Sequence, residues 1–259
     1  MLGKDIFLDK YRTDLEAEAR WLAFGAEFKA NSIETLLKRH GIRPDVLLEL
    51  GSGTGAVIRE CQRRGLAREY IAIDASEEAI SWARERSPGI RSMVADITSP
   101  QCELPARVDV VILSHVLEHL ENPKDLLVSL VERLPFRWLI AEVPLEDLAA
   151  ARIKNVFRDR MKNTAGHVQF FTARSFQDLL ASAGLTVSDS VRYFPLPGKE
   201  MLEHYLRSAT RSFAGRTVKR ATNSYLPRLF GPLWVKGYHA HMAVLCSIDC
   251  ESNRDGVLL

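Results

Sequence analysis

Apolar positions along this chain follow two different periods. Short, mostly apolar runs at Val46–Leu50, Tyr70–Ile73, Ile90–Val94, Val108–Leu113 and Trp138–Val143 alternate with helical spacings near Ala56–Arg64, Glu77–Arg86 and Pro123–Leu134. Runs of strand length with little polar interruption mark strands buried on both faces, and the helices between them supply the covering layers. The pattern predicts an α/β fold, a doubly wound, Rossmann-like and mostly parallel sheet. A longer helical pattern precedes it from Thr13 to His40, carrying Leu15, Ala19, Leu22, Phe24, Ile33, Leu36 and Leu37. Lys38, Arg39 and His40 suit the negative end of that helix, and Gly41 is the kind of residue that stops one.

After Val143 the rhythm changes. Residues 145–170 are basic, with Arg152, Lys154, Arg158, Arg160 and Lys162. The segment "TARSFQDLLASAG" predicts a helix capped by Thr172 and ended by Gly184, followed by a strand from Leu185 to Phe194. Residues 195–237 mix Arg and Lys with aromatics, Pro and Gly, and "YHAHMAVLCSI" is the last strand pattern. The expected organisation is an N-terminal helical segment (1–44), one domain over 45–249 with insertions at about 145–170 and 195–237, and a mobile tail (250–259).

Composition removes several classes. The 46% apolar and 26% charged fractions are those of a soluble globular chain, and a net charge of +2 does not argue for nucleic acid. The start, "MLGKDIFLDKY", carries charges where a signal peptide needs an apolar run, and no apolar run reaches membrane-spanning length. A cytoplasmic protein without an integral membrane segment is expected. Cys61, Cys102, Cys246 and Cys250 form no C-x-x-C pair and read as reduced.

The candidate chemistry begins at the turn after the first strand, Glu49-Leu50-Gly51-Ser52-Gly53-Thr54-Gly55. A P-loop needs a lysine behind its glycines, and none follows. The dinucleotide pattern G-x-G-x-x-G puts its third glycine where this chain has Ala56; alanine is tolerated there, so NAD stays open at this point. Acidic and polar residues then recur at strand ends: Asp74 closes "YIAID", Asp96 closes "SMVAD", and Ser114 and His115 close "VDVVILSH". Open α/β sheets bind ligands at these carboxyl ends, and a carboxylate placed as Asp74 is can accept from ribose hydroxyls.

In order and spacing, "LLELGSGTG", "IAIDAS", "VADIT" and "VDVVILSHVLEHLENP" resemble the successive motifs of class I S-adenosylmethionine-dependent methyltransferases; "GHVQFFTARSFQDLLASAGL" is similar to a later segment of small-molecule members. The resemblance covers roughly residues 45–195. It implies a seven-stranded sheet whose last strand is antiparallel and lies beside the penultimate one, with S-adenosyl-L-methionine as cofactor. Glu49, Gly51, Ser52, Gly53 and Gly55 would then surround the methionine moiety. Asp74 would hold the ribose hydroxyls and Ala75 would pack near the adenine; Asp96 would accept from the adenine amine, with Ile97 beside the ring. Ser114 and His115 would lie near the sulfonium, and Tyr11 would close over the cofactor.

The expected reaction is methylation of a hydroxyl on a small molecule, with His115 and His167 as candidate bases, since a neutral hydroxyl is a poor nucleophile. Methylation of an amine, an NAD-linked oxidoreductase and a cofactor-binding domain without turnover are the alternatives. Between Val191 and Ala240 stand nine Lys/Arg against Glu200 and Glu203, with interleaved aromatics. An acceptor lid over an anionic sugar, a glycan or a lipid-linked intermediate is expected from them. Amino-directed nucleic-acid members of the family carry N/D-P-P-Y/F where this chain has "SHVLEHLENP", so no nucleic acid is expected. "HVLEH" also satisfies H-x-x-E-H, but zinc chemistry needs both histidines on one helical face, and a strand ends directly before His115. No metal is expected, and His239 and His241 read as packing or surface residues.

Overall fold

The computed structural model describes residues 3–145, 166–199, 201–203, 206, 212–237 and 240–248. Strands β1 (Val46–Leu50), β2 (Glu69–Asp74), β3 (Arg91–Val94), β4 (Val110–Ser114), β5 (Trp138–Leu145), β6 (Leu185–Tyr193) and β7 (Ala240–Ile248) form one sheet in the order β3-β2-β1-β4-β5-β7-β6. β1 to β5 pair in parallel, and β7 runs antiparallel between β5 and β6. The seven strands, the reversed final one and its insertion beside the penultimate strand agree with the sequence expectation.

Successive strand residues point to opposite faces, and here both faces are apolar because both are covered. Leu48, Leu50, Val111 and Leu113 pack against α4 (Pro123–Arg133) and α5 (Ala173–Ser182) through Leu126, Leu127, Phe176 and Leu180. Leu47, Val110 and Ile112 pack on the other side against Ile33 and Leu36 of α1 (Gly3–Arg39) and Ile58 and Cys61 of α2 (Ala56–Arg63). The chain winds outward in both directions from β1 and β4, and that reversal opens a crevice at their carboxyl ends.

Helix α1 is longer than its sequence pattern, which begins near Thr13. The backbone leaves helical geometry at Asp14 (φ −153°, ψ 66°), and Asp14 Oδ1 accepts the Ala17 amide at 3.1 Å. The predicted start therefore coincides with an internal cap, and the preceding stretch is a separate helical piece lying on the crevice. At the other end Gly41 takes φ +62° and Ile42 donates back to the Leu37 carbonyl, closing the helix as expected.

Most of the first insertion (146–165), the tail, His239 and Cys250 lie outside the described residues. In the second insertion, helical pieces run over Phe213–Arg220, Ala221–Tyr225, Leu226–Phe230 and Pro232–Gly237. Among the described residues no helix is long and apolar enough to cross a membrane.

Candidate active site

A cavity of about 540 Å³ opens at the crevice. Of the residues expected at the cofactor, Glu49, Gly51, Ser52, Gly53, Asp74, Ala75, Asp96, Ile97, Ser114, His115 and Tyr11 line it, as do His119 and His167. Gly55 does not. It takes φ +69° at the start of α2, where a Cβ would meet that of Ala83 at 3.2 Å, so its work is to pack the helix start against α3 (Glu77–Arg86).

The glycine turn is held by carboxylates. The amides of Gly51 and Ser52 both donate to the Ile73 carbonyl, while Gly53 donates to Asp74 Oδ2 at 2.7 Å and Ile58 to Glu49 Oε2 at 3.0 Å. Asp74 Oδ1 takes the Ser76 amide at 2.9 Å, and Ser76 itself caps α3 by accepting from Ala79. A pyrophosphate site needs such amides turned toward the ligand with no anion behind them. In this turn the Gly53 amide already faces the Asp74 carboxylate and the Gly51 and Ser52 amides the Ile73 carbonyl, which counts against a dinucleotide.

Gly51 is required sterically. Its φ is +69°, and a Cβ there would lie 2.6 Å from Val116 Cγ2. Gly51→Ala is expected to cost about 2–4 kcal/mol through left-handed backbone strain and overpacking. Thermal unfolding should show a Tm lower by roughly 5–15 °C; a variant melting with the wild type would refute this account of the turn.

The electrostatics favour a cationic ligand. Burial, helped by the nearby Asp74 and Glu142, pushes Glu49 up to about 8 despite Lys29 and the Ile58 amide. Burial also raises Asp74, against the amides of Ser76, Gly53 and Ala75. A buried carboxylate of this kind gains most from a cation or from hydroxyl and amine donors. The hydroxyls of Ser52 and Ser114 are buried and, among the described residues, have no partner of their own. Glu49, Ser52, Ser114, Asp74 and Asp96 all line this cavity and together offer acceptors for an ammonium, hydroxyls and an amine.

At the far end lies a histidine cluster. His115 has φ +59°, the one non-glycine residue with positive φ among the described residues, and its amide donates to the Glu142 carbonyl. Its Nδ1 lies 3.0 Å from Glu118 Oε1, and its Nε2 lies 3.3 Å from Glu142 Oε1 and 2.8 Å from His241 Nδ1. Burial and Lys29 push the His115 imidazole down, but Glu118 and Glu142 outweigh them and its pKa is raised. Burial opposes ionisation of Glu118 as well, yet the His115 contact holds it at about 2. Tyr193 donates to Glu142 Oε1 at 2.6 Å.

His167 reaches the cavity because its segment is pinned to the 3₁₀ turn Leu117–His119. Val168 and Gln169 donate their amides to the Glu118 carbonyl, and the Gln169 side chain donates to Glu121. His119 Nδ1 lies 3.1 Å from the Gly166 carbonyl, so the proton sits on Nδ1 and Nε2 is left as an acceptor. Burial lowers the His119 pKa, and its ring lies 5.0 Å from that of His167. Glu118, Glu142, His241 and Tyr193 were not singled out from the sequence as site residues. Two clusters could hold a metal ion, His115–Glu142–His241 and Glu118–His119–His167, whereas the sequence reading expected none.

Residues 19–190 match the family model described as a methyltransferase domain. The mitochondrial ubiquinone biosynthesis O-methyltransferase of Schizosaccharomyces pombe is 32% identical over 106 residues, 39% of this chain. This chain covers 38% of that protein's length. Magnesium protoporphyrin IX methyltransferase from Synechocystis PCC 6803, solved with bound SAM, superimposes with a TM-score of 0.56 at 14% identity, over 96% of this chain and 98% of that one. Phospholethanolamine N-methyltransferase 2 of Haemonchus contortus gives 0.61 at 14%, over 96% and 60%. Those two likenesses concern the fold; the family model spans most of the chain and takes in the glycine turn and the strand-end carboxylates. The chain belongs to the S-adenosyl-L-methionine-dependent methyltransferases.

Proposed function

We propose that this enzyme methylates a hydroxyl of a small molecule, with His167 as the base. The observation that carries the reading is the His119–His167 pair on the cavity wall. His119 is neutral near pH 7, and its ring lies against that of His167. Bound S-adenosyl-L-methionine supplies an electrophilic methyl group on a sulfonium. The chain holds the acceptor oxygen in line with it, excludes water and takes the hydroxyl proton on an imidazole nitrogen. His115 is less suited to that proton, because Glu118 stands at one of its nitrogens and Glu142 and His241 at the other. The curated relative named above is an O-methyltransferase, which favours oxygen over nitrogen as the acceptor atom.

The acceptor class we favour is an anionic sugar, glycan or lipid-linked intermediate. Residues 204–248 contain no Asp or Glu. Within that span Phe213, Val218, Tyr225, Leu229 and Leu233 are exposed, Phe213 by 82%, beside Arg216, Lys219 and Arg228. Apolar side chains interleaved with cations suit a ligand with an acidic head and an apolar body. The buried thiols of Cys61, Cys102 and Cys246 suit a reducing compartment, and we place the enzyme in the cytoplasm.

The test is methyl transfer from isotopically labelled S-adenosyl-L-methionine to a panel of phosphorylated sugars, lipid-linked phosphates, phenols and amines. A methyl ether product is expected. His167→Gln should lower kcat by roughly 10²- to 10⁴-fold and leave S-adenosylhomocysteine affinity unchanged. Turnover confined to amines, or a His167→Gln enzyme with full kcat, would overturn the reading.

A further inference from the structure

Beneath the cavity, four buried or half-buried groups from distant parts of the chain meet: His115 after β4, Glu142 on β5, His241 on β7, and Glu118 in the 3₁₀ turn. From the arrangement of their side chains, we propose that His115 Nε2, His241 Nδ1 and Glu142 Oε1 bind a divalent first-row transition cation, zinc being the simplest case.

The three atoms form a triangle with edges of 2.8, 3.3 and 4.0 Å. Metal–ligand bonds of about 2.0–2.2 Å in a tetrahedron separate neighbouring ligand atoms by about 3.3–3.5 Å, so these edges bracket the required size. Two imidazoles and a carboxylate are ligands that zinc and its first-row neighbours accept. The outer groups are also in place: Glu118 stands 3.0 Å from the other nitrogen of His115, and Tyr193 donates to Glu142. A carboxylate behind a ligating histidine fixes the tautomer and the ring orientation.

Charge supports the same assignment. Glu118 and Glu142 are almost fully buried, and among the described residues the cationic side chains within ion-pair distance of them are histidines only. A divalent ion between the two rings would compensate these buried carboxylates, and buried charge is tolerated where it is compensated. The left-handed backbone at His115 is a further sign: it holds Nε2 toward β7 at a cost that a bond to a metal offsets. The second cluster, Glu118–His119–His167, is the weaker candidate. Its carboxylate oxygen already lies against His115, and His119 Nε2 is 3.9 Å from it.

The experiment uses the full chain, stripped of metal by dialysis against a chelator and then titrated with Co(II) and with Zn(II). One Co(II) per chain is expected, with the intense visible absorption of a tetrahedral site, displaced by one Zn(II), and accompanied by a higher Tm. His241→Ala and Glu142→Gln should abolish stoichiometric binding, and Glu118→Gln should weaken it by about 10- to 100-fold. Titration of the metal-free wild type and of His241→Ala with S-adenosylhomocysteine tests the fold and the methyltransferase reading separately from the metal. Absence of 1:1 binding by the wild type would overturn the proposal. So would binding that His119→Ala abolishes and His241→Ala leaves intact, which would move the ion to the neighbouring cluster.

Discussion

Asp74→Ala should reduce S-adenosylhomocysteine affinity more than about 100-fold and lower stability by roughly 3–6 kcal/mol, each lost charge-assisted hydrogen bond contributing about 1.5–3 kcal/mol. The argument starts from the two oxygens. Oδ2 receives Gly53 and Oδ1 receives Ser76, so alanine leaves two donors without acceptors and releases both the glycine turn and the start of α3. The same carboxylate is the group we assign to the ribose hydroxyls, so binding falls both through the lost contact and through the loosened turn. Asp74→Asn separates the contributions. The amide keeps one acceptor for the backbone but faces the other donor with an NH₂, and an intermediate loss is expected. Urea unfolding and calorimetry at one pH give both numbers; full affinity in Asp74→Ala would remove Asp74 from the binding site.

The second large effect is a dependence on pH through Glu49. Its folded-state pKa of about 8 stands above the usual 4.5, so the folded chain retains a proton that the unfolded chain releases. The favourable contribution is complete below pH 4.5, shrinks as pH rises, and is gone above about 8. The gap is worth up to roughly 5 kcal/mol. Relative to wild type, Glu49→Gln should therefore become progressively more stable between pH 5 and 8, and the two curves should run parallel above that. An ammonium brought beside Glu49 lowers its pKa again, so S-adenosylhomocysteine binding at pH 7 should expel close to one proton. Calorimetry in two buffers of different ionisation enthalpy detects it. An identical enthalpy in both buffers, or the same proton release from Glu49→Gln, would show that Glu49 does not meet the ligand's cation.

Local features carried most of what was legible beforehand. The apolar runs located the first five strands to within a few residues, because a strand covered on both faces shows its burial in every position. The glycine turn and its downstream carboxylates were readable for the same reason: each function sits within a residue or two of a strand end. Gly55 was assigned to the ligand, yet it packs on Ala83, since spacing alone does not say which side of a turn a glycine faces. The piece of α1 before Asp14 lies outside the sequence's helical pattern because the surface its Phe7 and Tyr11 cover is assembled only by the folded sheet. The histidine cluster was the least legible. His241 and His115 are 126 positions apart, and they meet because β7 inserts between β5 and β6. The sequence reads His241 as a packing or surface residue, because nothing in a local pattern names the neighbour across the sheet.

The break at Asp14 has a kinetic meaning. Tyr11 is buried over Gly53, where its hydroxyl occupies the space a Cβ would need, and Phe7 packs on His119 from the same short piece of helix. That piece is joined to the remainder of α1 through one non-helical residue. The cavity that the glycine turn lines is also lined by Phe7 and Tyr11, so a nucleoside bound there, as we propose, would have this piece of helix beside it. Dissociation of S-adenosylhomocysteine, followed by stopped flow, is then expected to quicken in Phe7→Ala and Tyr11→Ala, which loosen the contacts that hold this piece of helix over the turn.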